Sequence, residues 1–237
     1  MDTSLPPDEI DAVVFDVIGT LVDDDTAWAA AAEHLAVRSG VDDDHRLLRR
    51  WVEALDRRMG EVVGGDAPWR PHQQLVTDSA REAVTGLGGD TTGDVLSAVS
   101  RLDDEYVAWP EVAAATAALR RDRLVAGVSN GDLDALARLA NSSGVSWDMA
   151  LSTAAVATFK PDPAAYRYAI ETLRIDPSRT LFVAAHPWDL RAASEHGFRT
   201  AYIARPGAKG PTPDDRFDLA CDDLTALVAI LDGSAPA

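Results

Sequence analysis

Four short segments of this chain are almost wholly apolar: residues 12 to 18, where Asp16 follows AVVF, then LVAGVSN (Leu124 to Asn130), TLFVAAH (Thr180 to His186) and TAYIA (Thr200 to Ala204). A strand with one face in water alternates apolar and polar residues, whereas a strand apolar at nearly every position is buried on both faces. That is the condition of a parallel sheet covered by helices on either side. Helical patterns separate the later segments. DLDALARLANSSG opens on Asp132 and closes on Gly144, PAAYRYAIETL places Pro163 in a first turn, and WDLRAASEHG ends at Gly197. The expected fold class is α/β, with a doubly wound, Rossmann-like parallel-sheet core.

Between Leu21 and Trp109 no strand pattern occurs. TAWAAAAEHLAVRSG, HRLLRRWVEALDRRMGEVVGG, HQQLVTDSAREAVTGLGG and TGDVLSAVSRLDDEYVA each carry apolar residues at helical spacing, divided by glycine-rich turns. Pro110 disfavours helix at Trp109, and the core pattern restarts with EVAAATAALRR. The reading is therefore a core domain of residues 1–21 and 109–237, with a four-helix cap domain of residues 22–108 inserted after the first strand. Trp28, Leu35, Leu47, Trp51 and Leu55 form the expected interior of the cap.

Charge narrows the partners. Lys and Arg number 22 against 39 Asp and Glu, a net charge of −17, which repels nucleic-acid phosphates and anionic membranes alike. No nucleic acid and no membrane is expected as a partner. No apolar run approaches the roughly 18 residues a bilayer span needs, and MDTSLPPDEID has neither a basic nor an apolar leader region, so the expected location is the cytoplasm. The single cysteine, Cys221, excludes an intrachain disulfide and a cysteine-built metal site, and reads as a small buried hydrophobe.

In open parallel sheets, ligands bind beyond the carboxyl ends of the strands, near the point where strand order reverses. Asp16 follows the first apolar segment, Ser129 and Asn130 end the second, and His186 to Asp189 follow the third. Lys160 stands just ahead of a helix, in a chain whose only other lysine is Lys209. Four separate segments thus bring an acid, a hydroxyl with an amide, a cation and a second acid to one edge of the sheet.

The order of FDVIGTL, VSNGD, FKPDPAAY and FVAAHPWDL, with a helical insertion after the first, resembles the haloacid dehalogenase superfamily from Val13 to about Arg205. The Ser-Asn-Gly, Lys-Pro-Asp-Pro-x-x-Tyr and Trp-Asp elements resemble its L-2-haloacid dehalogenase (type II) branch. The resemblance implies that Asp16 is the nucleophile, with Lys160 holding its charge. Thr20, Ser129 and Asn130 supply hydrogen-bond donors, and Asp189 orients Lys160 or helps activate water. Ile18, Leu21, Tyr166, His186 and Trp188 are the expected substrate-binding residues.

The implied activity is metal-independent hydrolysis of a small anionic substrate, a short 2-haloalkanoic acid, to a 2-hydroxy acid through an aspartyl ester. Phosphatases of the superfamily carry a second Asp where this chain has Ile18. An aliphatic side chain cannot protonate a leaving group, and a halide needs no proton. A magnesium site wants clustered oxygen ligands, and VAAHPWD offers only Asp189, so no metal and no cofactor is expected. The resemblance also implies a homodimer. Two other readings stay open: a phosphohydrolase using an aspartyl-phosphate and magnesium, and a catalytically silent relative that binds a small anion.

Two departures from the branch stand out. Its members carry an arginine just after an aromatic residue on the second cap helix, facing the departing halide, whereas here Trp51 is followed by Val52. Arg49, Arg50, Arg57, Arg58 and Arg70 lie nearby, and the sequence assigns none of them to the site. The second departure is His186, a titratable ring where the branch has an amide.

Overall fold

In the computed structural model, which describes residues 9–233, the chain begins with β1 (Ala12–Phe15), β2 (Val22–Asp23) and the helices α1 (Asp25–Ser39), α2 (Asp44–Val63) and α3 (His72–Gly86). It returns through β3 (Val107–Ala108) and α4 (Val112–Leu119) to β4 (Leu124–Ser129), α5 (Leu133–Ser143) and β5 (Met149–Ser152). The remainder is α6 (Pro163–Leu173), β6 (Thr180–Ala184), α7 (Pro187–Glu195), β7 (Arg199–Ile203), β8 (Leu219–Cys221) and α8 (Leu224–Leu231). Residues 1–8 and 234–237, the two ends of the expected core domain, lie outside the described residues.

Six strands form one parallel sheet in the order β5-β4-β1-β6-β7-β8. This is the α/β, Rossmann-like architecture. The register sets Val14 of β1 between Ala126 of β4 and Phe182 of β6. Alternation along β1 sends Val13 and Phe15 into one layer, with Val112, Leu119, Leu224 and Leu227 from α4 and α8. Val14 goes into the other, with Ala165, Tyr166 and Leu190 from α6 and α7. Burial on both faces explains why β1, β4, β6 and β7 read as continuous apolar runs. Strand order reverses beside β1, so the carboxyl ends of β1, β4 and β6 open onto one crevice.

The edge strands β5 and β8 have no counterpart in the sequence reading. Their residues, MALS and LAC, are short and mixed, with Met149 exposed and Leu219 only partly buried, so neither carries the apolar signature of a central strand.

The insertion departs from the expected four helices. The first three segments are α1, α2 and α3, but TGDVLSAVSRLDDEYVA forms two short 3₁₀ turns, Val95–Val99 and Leu102–Glu105, ending in β3. Gly93 enters at φ +65°, and the Ser100 hydroxyl donates to the Ser97 carbonyl at 2.8 Å. Such local serine bonds compete with helix continuation. Val95, Leu96, Val99 and Leu102 are nevertheless all buried, so apolar spacing that suits a helix is satisfied here by two tighter turns.

Within the insertion the Trp51 indole N–H donates to the Val76 carbonyl at 2.8 Å, tying α2 to α3, and its ring lies 4.6 Å from that of Trp28. Pairing at the base of the insertion and contacts with the core fix its position. β2 pairs antiparallel with β3, the Trp109 N–H donates to the Leu21 carbonyl at 3.1 Å, and Asp132 accepts from the His72 and Gln73 N–H groups at 3.1 and 3.0 Å. The last contact places a carboxylate at the N-terminus of α3, where the helix dipole favours it. Among the described residues no helix is long and apolar enough to cross a membrane.

Trp51 is wholly buried, and its truncation would remove both the packing and the α2 to α3 hydrogen bond. Trp51→Ala is expected to lower the unfolding free energy by about 3–5 kcal/mol. Urea denaturation checks this, and a loss below about 1 kcal/mol would contradict the packing described.

Candidate active site

Asp16 stands just past β1, where two turn bonds, Thr20 N–H to the Val17 carbonyl at 3.2 Å and Leu21 N–H to the same oxygen at 2.8 Å, fold the chain back. Gly19 makes the reversal at φ +77°, a left-handed conformation that favours glycine. A side chain there would also stand 2.7 Å from the His186 ring.

The carboxylate of Asp16 is held from three sides. Its Oδ1 accepts from Lys160 Nζ at 2.7 Å; its Oδ2 accepts from the Thr20 hydroxyl at 2.8 Å and lies 2.8 Å from His186 Nδ1. The Thr20 oxygen in turn accepts from the Ala185 N–H at 2.9 Å, linking the β1 and β6 loops. Lys160 Nζ also donates to Asp189 Oδ2 at 2.5 Å, and the Tyr166 hydroxyl donates to Asp189 Oδ1 at 2.5 Å. Asn130 accepts the backbone N–H of Lys160 at 2.7 Å, so the end of β4 positions the lysine loop. Ser129 Oγ accepts from the Gly131 N–H at 3.0 Å, which leaves its own proton free to donate.

These contacts govern ionisation. Burial alone would raise the Asp16 carboxyl, but the Lys160 ammonium and the His186 ring overcome it and hold the group well below the usual carboxylate range. Burial opposes the charge of Lys160, and the two carboxylates beside it outweigh burial and raise its pKa. Burial raises Asp189, with the charge of Asp16 adding to it against the pull of Lys160. Burial and the Asp189 carboxylate push the Tyr166 hydroxyl far up, so it acts only as a donor.

A cavity of about 330 Å³ opens over Asp16. Asp16, Ile18, Ser129, Asn130, Lys160, His186 and Trp188 line it, so seven of the eleven residues singled out in the sequence share one wall. The other four do not line it. Leu21, expected to touch substrate, is wholly buried in the apolar interior because the turn after Asp16 points it inward. Tyr166, also expected to touch substrate, is wholly buried behind Asp189, because α6 packs on the sheet face rather than over its edge. Thr20 and Asp189 are likewise buried and reach the cavity only through Asp16 and Lys160.

The insertion roofs the cavity with Trp28, Leu48, Val52, Leu55 and Met59. Among the described residues no arginine lines it. Arg57 pairs with Glu61 and Glu82, Arg58 with Glu82 and Arg70 with Asp78, while Arg49 and Arg50 are exposed. The sequence reading missed five polar groups of the lining: Asp24, Asp25, Asp56, His72 and Tyr106. Asp24 and Asp25 sit in a run of three acids at the start of α1, which resembles an ordinary helix start, and His72 opens α3 without any motif. Burial, with the charge of Asp25 adding to it, pushes the Asp24 carboxyl up to about 6. No group of three or more His, Cys, Asp or Glu side chains among the described residues is arranged to hold a metal ion.

Residues 10–197 match the family model described as haloacid dehalogenase-like hydrolase. The chain belongs to that family. The (S)-2-haloacid dehalogenase of Pseudomonas fluorescens is 30% identical over 209 residues, covering 83% of this chain and 85% of the relative. The (S)-2-haloacid dehalogenase 1 of Pseudomonas sp. (strain CBS-3) is 28% identical over 205 residues, covering 84% and 86%. Among solved structures, the L-2-haloacid dehalogenase PA0810 superposes with a TM-score of 0.84 at 31% identity, covering 95% of this chain and 100% of that one. The defluorinating L-2-haloacid dehalogenase Rha0230 also gives 0.84, at 28% identity, covering 94% and 95%.

Within this haloacid dehalogenase-like hydrolase, Asp24 carries a testable cost. Its folded pKa of about 6 exceeds the ordinary 3.8, so the folded state binds the proton more tightly than the unfolded chain. The carboxyl therefore lowers stability progressively as pH rises from about 4 to about 6 and by a constant amount above that. Asp24→Asn is expected to be more stable than the parent at pH 7.5 by on the order of 1–3 kcal/mol, with the difference vanishing near pH 4. Denaturant unfolding at the two pH values checks it, and equal gains at both would refute the assignment.

Proposed function

We propose that the chain is a hydrolytic dehalogenase that converts short 2-haloalkanoic acids to 2-hydroxy acids without a metal, with Asp16 as nucleophile. The carrying observation is an Asp16 carboxylate kept ionised by Lys160 on a cavity wall where Ile18 supplies no acid. One Asp16 oxygen attacks the halogen-bearing carbon in line, the carbon–halogen bond breaks, and an ester joins enzyme and substrate. Water then attacks the Asp16 carbonyl carbon, releasing the hydroxy acid and restoring the carboxylate. The Ser129 proton, left free by the Gly131 bond, donates to the substrate carboxylate. Lys160 keeps Asp16 charged, and Asp189 with Tyr166 and Asn130 keeps Lys160 in place.

The names of the relatives support this substrate class, and the apolar side chains of the roof reduce the hydration that would blunt attack by a carboxylate. In the same reading residues 22–108 are a cap domain over a core of residues 1–21 and 109–237, and the enzyme works in the cytoplasm as a homodimer.

Halide release from a panel of 2-haloacids in EDTA, including fluoroacetate and both 2-chloropropionate enantiomers, tests the proposal. The parent is expected to turn over at least one member, and Asp16→Asn to fall to background. Release from no member would refute it. Ser129→Ala is expected to raise KM by about 10–100-fold, the worth of a hydrogen bond to a charged group, with kcat little changed. An unaltered KM would remove Ser129 from substrate binding.

A further inference from the structure

The dehalogenation just proposed, on which this inference rests, needs two services that none of the groups assigned above performs. The departing halide needs a positive partner, and the attacking water needs a base. Among the described residues no arginine lines the cavity, and Lys160 is nearly fully buried and committed to two carboxylates. Asp189 is wholly buried, does not line the cavity, and has its oxygens occupied by Lys160 and Tyr166, so water in the cavity cannot reach it.

His186 brings a titratable ring to the same cavity, beside the Asp16 carboxyl that water must attack. It precedes α7 at the end of the β6 segment, lines the cavity with 32% of its side chain exposed, and holds Nδ1 2.8 Å from Asp16 Oδ2. Gly19 leaves the space the ring occupies. We propose that His186 serves both half-reactions: as an imidazolium beside Asp16 while the carbon–halogen bond breaks, and then as the neutral base that takes a proton from the attacking water.

Charge balance in the cluster carries the argument. The carboxylates of Asp16 and Asp189 share one ammonium, that of Lys160, which leaves one negative charge in excess. A protonated His186 brings the cluster to neutrality. Esterification removes the Asp16 charge, so Asp189 and Lys160 then balance and an imidazolium would lose its hydrogen-bonded carboxylate in a largely buried place. The groups facing the ring are Asp16 after β1, Asp24 ahead of α1, Lys160 ahead of α6 and Asp189 on α7, with the uncharged Trp188 ring 5.7 Å away. Burial pulls the His186 pKa down, yet the bond and charge of Asp16 raise it above its ordinary value in the free enzyme. Ester formation deletes those two contributions and leaves burial and Lys160 acting downward against the charge of Asp189, so the ring gives up its proton more readily when a base is needed.

The bonds balance. In the second step water loses a proton to the imidazole and its oxygen bonds to the Asp16 carbonyl carbon. The bond from that carbon to the substrate oxygen then breaks, and the departing alkoxide takes the proton from the imidazolium. The regenerated carboxyl passes its proton to the neutral His186 ring, which restores the starting ion pair, so the one proton lost after esterification and one halide leave per turnover.

Rapid-quench single turnovers with (S)-2-chloropropionate, on the parent, His186→Asn and His186→Gln, test this. Chloride, 2-hydroxy acid, the mass of the Asp16 peptide and proton release are followed together. In the parent, proton release accompanies chloride. In both variants about one chloride per site is expected, with the ester accumulating on Asp16, hydrolysis slowed at least 100-fold, and no early proton. A merely structural role would slow both steps together and leave the proton with the chloride. Ester hydrolysis in the variants within threefold of the parent, or unchanged early proton release, would overturn the inference while leaving the dehalogenase reading intact. No chloride from the parent would overturn both. Should the variants form no ester, the parent ester decides after a pH jump. Hydrolysis that quickens with pH through one ionisation supports His186 as base, and pH-independent hydrolysis overturns it.

Discussion

The Lys160 ammonium, wedged between Asp16 and Asp189, is the contact on which the rest of the site depends. Taking three charges out of water is expensive, and the attraction between them repays that cost only when geometry is close and the remaining polar atoms are satisfied. The fold meets both conditions from separate elements. β1 supplies Asp16, the start of α7 supplies Asp189, and the end of β4 holds the lysine loop through Asn130. Tyr166 caps the far oxygen of Asp189 from α6, and the Phe182 ring lies 5.6 Å from the ammonium. None of these residues is near another of a different motif in sequence, so only a parallel sheet with its carboxyl ends aligned brings them together.

The cavity over this cluster is unequal in its two walls. Its sheet side is ionic and fixed by hydrogen bonds, while the insertion contributes apolar side chains and three carboxylates. The insertion is tied to the core by Asp132 at the start of α3 and by the ion pair of Arg138 with Asp104. Arg205 lies under the junction, donating to the Thr20 carbonyl at 2.9 Å and to Glu111 at 2.6 Å, with its guanidinium 5.1 Å from the Trp109 ring. The backbone of the Asp16 loop is thus braced from the same place that anchors the return of the chain from the insertion. Displacing that junction would disturb the Asp16 loop as well as the roof.

The legible part of this molecule is the part with a period or a spacing. β1, β4, β6 and β7 announced themselves because burial on both faces demands unbroken apolar runs, and α6 because Pro163 and a regular apolar stripe mark it. The residues at the strand ends were legible by position. What escaped was whatever depends on tertiary context. β5 and β8 are edge strands whose neighbours, not their own residues, make them strands. The segment from Val95 to Glu105 carries helical spacing that two 3₁₀ turns satisfy equally well. Leu21 and Tyr166 stand beside catalytic motifs in sequence yet face the interior, since a turn or a helix face decides where a neighbour points. Asp24, Asp56 and His72 reach the cavity from helix starts and faces that resemble any solvated surface.

The acidic part of the lining has a consequence for how anions move through the cavity. With a net charge of −17 the whole chain repels an anionic substrate, and Asp24, Asp25 and Asp56 add to that repulsion at the point of entry. A permanently charged arginine on the roof would offset it, but it would also retain the halide and hydroxy acid that the proposed reaction releases. A cation that exists only while Asp16 is ionised avoids that retention: it is present when the anion must be drawn in and absent once the ester has formed. The site therefore trades capture of substrate for release of product, and the trade depends on a group that titrates where an arginine would not.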